Sequence, residues 1–403
     1  RLTLMNFLQY AVWGAWLISL GAYLGNTLKF DGLQIGSFFA TMGIASLFMP
    51  AVMGIIADRW IPAQRLLGLC HLFAAGFITL AATRTDYNSL YTLVLLSVMF
   101  YMPTIALSNS VAYNALEKAG LDTVTHFPPI RVWGTVGFIC AMWVVDLGKM
   151  GLSATQLYFS ATLGLILGLY SFTLPNCPIN RSGGGKSIVD LLGLRAFALF
   201  KQRKMAIFFI FSMLLGMSLQ ITNAFADGYI KSFGDTGIHG AKYLGTFGVE
   251  HSTILISLSQ ISETLCILLI PFFLKRFGIK RVMLIAMFAW VLRFALLGAG
   301  NPGPGVWMFI LSMIVYGVAF DFFNISGSLF VEKETSAAIR SSAQGVFMIM
   351  TNGLGALIGS YLAGWVVNHY GWPLSWYLFA GFSLVVAIVF AVIFKYKHDP
   401  NRI

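Results

Sequence analysis

The chain has 403 residues, of which 58% are hydrophobic and only 10% charged, with a mean hydropathy of +0.79. Soluble domains carry about 25% charged residues, so the composition excludes a soluble enzyme, a nucleic-acid-binding module and a disordered protein. The net charge of +11 would suit nucleic acid, but its placement along the chain suits a lipid bilayer better.

Crossing roughly 30 Å of hydrocarbon takes about 20 apolar residues. Twelve such runs follow one another at 4–25, 33–57, 65–83, 89–116, 130–149, 154–175, 205–230, 250–274, 279–300, 305–330, 340–368 and 373–395. None alternates with a period of two, which argues against a β-barrel. The first run lacks a cleavage-site signature and is predicted to be a span rather than a signal peptide. Arg1 in place of Met implies that a few native residues precede it. Cys70, Cys140, Cys177 and Cys266 are scattered without ligand spacing, so neither a disulfide framework nor a metal site is expected.

Lys and Arg set the orientation. With the N-terminus inside, the cytoplasmic segments hold 19 of them and the outside loops only five, namely Lys29, Arg84, Lys149, Lys231 and Lys242. This bias predicts that both termini are cytoplasmic. It also makes the basic charge a matter of topology, with no nucleic-acid partner. Between the sixth and seventh runs the segment from Pro175 to Lys204 is polar and basic. The expected organisation is all-α and membrane-integral: a six-helix bundle over 1–175, a cytoplasmic loop over 176–204 and a second six-helix bundle over 205–403. Gly185-Lys186-Ser187 in that loop lacks the earlier glycine and the preceding strand of a phosphate-binding loop, so a flexible linker is the better reading.

Ionisable and amide side chains inside spans are costly and need a partner or a function. Arg131 and Thr135 share a face of the fifth run, with Phe138 one turn further. The seventh run carries Gln220 and Asn223, with Asp227 beyond; the eighth carries Gln260 and Glu263. The tenth reads Tyr316-Gly317-Val318-Ala319-Phe320-Asp321-Phe322-Phe323-Asn324. Each group also has a plainer use: Arg131 lies near a helix end where it can snorkel, and Asn or Gln can simply join helices. His71 and Arg293 are isolated along the chain and are read as structural, and Trp13, Trp16 and Phe322 as packing. Amides, a guanidinium, carboxylates and aromatic rings together suit a flat, neutral, polyhydroxylated solute, a sugar or a nucleoside.

Gly54-Ile-Ile-Ala-Asp58-Arg59-Trp60, with its counterpart Lys275-Arg276-Phe277-Gly278-Ile279-Lys280-Arg281 in the second half, resembles the cytoplasmic signature of the major facilitator superfamily. The trailing basic pair of that signature is reduced to Arg65. Five blocks are more specific: Phe127 to Phe138, Lys204 to Phe208, Leu219 to Asn223, Ser259 to Glu263 and Tyr316 to Gly327. In these the chain resembles the nucleoside:proton symporter family, the bacterial nucleoside and xanthosine permease group of that superfamily, from Phe7 to His398.

The resemblance implies a transporter, not an enzyme, that takes up nucleosides by proton symport through alternating access. It implies substrate contacts at Arg131, Thr135, Phe138, Gln220, Asn223, Gln260, Glu263, Tyr316 and Phe320. Proton coupling falls to Asp321, with Glu263 second, and Gly54, Asp58 and Arg59 form the conformational signature. It further implies no cofactor beyond the coupling proton, a bacterial inner-membrane location, and function as a monomer in the bilayer. A sugar or other polar-solute transporter, or an efflux pump of the same fold, is the alternative reading.

Overall fold

The computed structural model describes residues 1–179, 194–336 and 339–397, and among these there is no strand. The Gly-rich stretch from Ser182 to Ser187 lies outside the described residues. Nine helices among them are long and apolar enough to cross a membrane. One of the nine, Ser252–Ala299, holds two of the expected spans. It divides at Gly278, whose φ of 81° is open to glycine and strained for other residues. The remaining two spans are present as shorter helices, so each of the twelve apolar runs is helical.

In chain order the helices of the first half are α1 (Leu2–Gly14), α2 (Gly32–Arg59), α3 (Ala63–Ala82), α4 (Tyr87–Lys118), α5 (Thr123–Leu147) and α6 (Thr155–Ser171). Those of the second half are α7 (Arg203–Ser232), α8 (252–277), α9 (279–299), α10 (Val306–Glu334), α11 (340–370) and α12 (Leu374–Ile393). A 3₁₀ helix, Leu194–Lys201, precedes α7.

The chain forms two compact units, Arg1–Phe30 with Ser37–Leu192, and Asp31–Gly36 with Gly193–Ile403. In the first, α1 packs on α5 and α6, and α3 on α4 and α6. In the second, α7 packs on α11 and α12, and α9 on α10 and α12. The same pairing recurs six helices later. It extends to the backbone: α1 stops at Gly14, and α7 is interrupted after Gly216. A Cβ on Gly14 would lie 2.6 Å from the Phe138 carbonyl oxygen of α5, and one on Gly216 would strike the Thr351 carbonyl of α11.

The cores are apolar. Leu67, Val111 and Leu167 are fully buried in one cluster of the first unit. In the second, Phe208 lies 4.6 Å from Phe330 and 5.4 Å from Phe347, ring centre to ring centre. The outward faces are apolar too: Val385 and Val392 of α12 are 60% and 69% exposed. A soluble protein would not leave such a stripe in water, whereas hydrocarbon is its natural solvent.

Candidate functional site

The first unit positions Arg131, Thr135 and Phe138 on α5, and α1 braces them. The Arg131 guanidinium lies 3.9 Å from the centre of the Tyr10 ring. Phe138 meets Trp13 edge-on at 6.3 Å. Because Gly14 allows α1 to approach α5 closely, aromatic residues of one helix reach the candidate residues of the other. Trp13 also keeps a buried indole N–H without a hydrogen-bond partner among the described residues. Sequence reasoning assigned Trp13 to packing and passed over Tyr10, which lies some 120 positions from Arg131.

Behind α1 runs a buried polar chain. Gln9 donates its amide to Thr104 Oγ1 at 2.8 Å, His71 Nε2 lies 2.7 Å from Gln9 Oε1, and the Tyr101 hydroxyl donates to the Gln9 carbonyl at 2.7 Å. His71, isolated along the chain, is not isolated in the fold: it ties α3 to α1, and Gln9 extends the tie to α4.

The second unit holds the larger group. The seventh run is not one continuous helix. Its backbone closes i→i−3 bonds at Ser218 and Leu219 before helix resumes at Ile221. Gln220 stands just before the restart, and Asn223 Nδ2 donates to Gln220 Oε1 at 3.0 Å. Interrupted spans present backbone and amides to a solute where a regular helix would not. Asp227, one turn on, does something else. It pairs with Lys231 at 2.5 Å and accepts from Ser252 Oγ at 2.6 Å and Thr253 Oγ1 at 3.1 Å. This fastens α7 to the start of α8.

Gln260 and Glu263 are half-buried on α8. Opposite them Gly317 lets α10 come close: a Cβ there would be 2.5 Å from the Ser262 carbonyl oxygen, and Ser262 Oγ donates to the Ile314 carbonyl. The seam places Glu263 within electrostatic range of both Tyr316 and Asp321. Tyr316 and Phe320 stack at 5.6 Å with 15° between their planes. Asp321 is 4% exposed, and its Oδ2 atom is buried without a hydrogen-bond partner among the described residues. A small cavity bordered by Leu219, Trp290, Phe320, Phe323, Asn324 and Thr351 joins the break in α7 to the Phe320 ring. Trp290 and Asn324 were not singled out from the sequence.

Arg293, isolated along the chain, is not isolated in the fold. It is 2% exposed, and its guanidinium stands 4.7 Å from the centre of the Tyr316 ring. Of the conformational signature, Gly54, Asp58 and Arg59 lie in the last two turns of α2, and the chain leaves the helix only at Trp60.

The family model described as "Nucleoside H+ symporter" matches residues 1–399. The chain belongs to the nucleoside H+ symporter family. It is 51% identical to nucleoside permease NupG of Escherichia coli, over 99% of this chain and 96% of that protein. It is 50% identical to xanthosine permease of Escherichia coli, over 100% and 97%. The crystal structure of nucleoside transporter NupG superposes with a TM-score of 0.91 at 51% identity, covering 98% of each chain. A POT-family transporter structure shares the fold alone, with a TM-score of 0.71 at 16% identity. The chain is therefore a membrane transporter of the major facilitator type and not an enzyme.

Proposed function

We propose that this transporter carries nucleosides into the cell together with protons. The single observation that carries the reading is the second unit's cluster. A buried, partly unpartnered carboxyl on Asp321 lies within electrostatic range of Glu263 and beside the stacked rings of Tyr316 and Phe320. Burying an ionised carboxylate without full hydrogen bonding is expensive, whereas the neutral acid is held readily among aromatic rings. That makes Asp321 the proton carrier, with Glu263 on a ribose hydroxyl. Tyr316 and Phe320 stack on the base. Gln220, Asn223 and Gln260 hydrogen-bond the solute, and Arg131, Thr135 and Phe138 are its contacts on the first unit. The proton and the nucleoside must then favour the same conformational state, a linkage that is reciprocal. No cofactor beyond the proton takes part.

In this reading the protein works as a monomer in a bacterial inner membrane with both termini in the cytoplasm. Cysteines introduced at Ser187 and Asp235 test the orientation: an impermeant reagent applied to intact cells labels only the latter, and labelling at Ser187 inverts it. Uptake of radiolabelled uridine into proteoliposomes tests the function. Accumulation is expected with an inward proton gradient and is abolished by a protonophore. Free ribose competing as well as uridine would instead indicate a sugar transporter.

A further inference from the structure

Resting on the nucleoside reading, we infer that Arg293 is a positioning residue that sets selectivity for the base by fixing the Tyr316–Phe320 ring pair. The geometry is specific. Arg293 on α9 donates from Nη1 to the Ser312 carbonyl oxygen at 2.8 Å, and Ser312 Oγ donates back to the Arg293 carbonyl at 3.0 Å. This reciprocal pair locks α9 to α10 one turn before Tyr316. The same Nη1 approaches Met313 Sδ at 3.8 Å.

With its guanidinium held there, Arg293 stands 4.7 Å from the Tyr316 ring centre, and Trp290 meets Tyr316 edge-on at 6.0 Å. Tyr316 in turn stacks on Phe320, which borders the cavity at the α7 break. The ring planes therefore descend from one buried guanidinium through one contact after another.

The cost of this arrangement argues that it serves a purpose. A guanidinium buried in an apolar unit is expensive, and its partners among the described residues are a carbonyl, a thioether and a ring face rather than a carboxylate. Its Nε atom has no hydrogen-bond partner among the described residues. If only helix packing were required, Leu or Met would fill the same volume without the penalty. A planar cation over an aromatic face adds what an apolar residue cannot, a preferred ring orientation. Because a flat base gains from stacking only when the rings meet it in a defined plane, orientation becomes selectivity.

The test is a double-mutant cycle read by isothermal titration with uridine and ribose, using Arg293→Met, Tyr316→Leu and the double variant. Arg293→Met is expected to weaken uridine binding about twofold to thirtyfold, the range of a desolvated cation–π contact, and to leave ribose binding unchanged. In proteoliposomes the same variant raises KM with turnover changed less than about twofold. In the cycle, Arg293→Met adds little once Tyr316 is Leu, because Arg293 acts through that ring. Arg293→Lys keeps a cation over the ring and restores part of the affinity. It also serves where the Met variant fails to fold.

Additive losses, a Lys variant no better than Met, or lowered turnover with unchanged affinity would each assign Arg293 to packing alone and overturn the inference. Wild-type protein that binds ribose as well as uridine fails the nucleoside reading itself, before any Arg293 variant is made.

Discussion

Asn223 and Gln220 bond to each other, side-chain amide to side-chain oxygen at 3.0 Å, at the place where α7 restarts. The pair leaves each amide with unused hydrogen-bonding capacity while holding both in one orientation. Gln220→Ala or Asn223→Ala should each weaken nucleoside binding by about 1–3 kcal/mol, because each removes a contact and leaves the other amide unpaired. The double variant should lose less than the sum, since the second change no longer orphans a partner. Isothermal titration of the three variants checks this, and wild-type affinity in all of them would remove α7 from the site.

Gly317 is a close-contact position and Gly381 is not. A Cβ at Gly317 meets Ser262 at 2.5 Å, whereas nothing lies within 4 Å of one at Gly381 on α12. Gly317→Ala should destabilise the protein by about 1–3 kcal/mol by forcing α8 and α10 apart. It should also weaken binding, because Glu263 and Tyr316 lie within electrostatic range of each other across that seam. Gly381→Ala should be neutral or stabilise by about 0.4–1 kcal/mol, since alanine restricts the unfolded chain and suits a helix. Thermal unfolding in detergent, with and without nucleoside, separates the two.

Asp227 belongs to the architecture. Its side chain is 1% exposed, and it holds Lys231, Ser252 and Thr253 at once. Asp227→Ala leaves Lys231 and two hydroxyls without their acceptor and should cost about 3–5 kcal/mol of stability. The fraction that remains folded should bind uridine as the wild type does. A variant of normal thermal stability that has lost uridine affinity would move Asp227 into the substrate site.

Asp321→Asn mimics the protonated acid at constant size. The variant should bind uridine with an affinity that varies less between pH 5.5 and 8.5 than that of the wild type, and should exchange it across the membrane. Gradient-driven accumulation should disappear. Binding titrations across that range, with uptake in the presence and absence of a proton gradient, decide the matter. Continued accumulation against a gradient would move the proton to Glu263, the other carboxyl within range of Tyr316.

Hydropathy was a sufficient guide to the twelve helical segments, because apolar runs of bilayer length have few other folded outcomes. It placed the turn between the eighth and ninth spans within a few residues of Gly278. It missed the break in α7, because Met217, Ser218 and Leu219 are no more polar than the helix on either side. The close approach of Gly216 to α11 accompanies that break, and such an approach is a tertiary fact. The isolation assigned to His71 and Arg293 had the same origin. Gln9 is 62 residues from His71, and Tyr316 is 23 residues from Arg293 on the next helix, so neither contact leaves a periodic trace. Gln260, Glu263 and Asp321 stand out in the sequence because a polar atom in an apolar run is conspicuous wherever it points.

The buried chain through Gln9 has a direction. Gln9 gives its amide hydrogen to Thr104, and Thr104 gives its own to the Tyr101 carbonyl, so Oε1 is the atom left facing the imidazole. His71 must therefore carry a hydrogen on Nε2. Turning the Gln9 amide over would set acceptor against acceptor at Thr104 and donor against donor at His71 in the same movement. Three helices thereby share one proton arrangement, and a nitrogen resonance from that single ring reports whether α1, α3 and α4 are still in register.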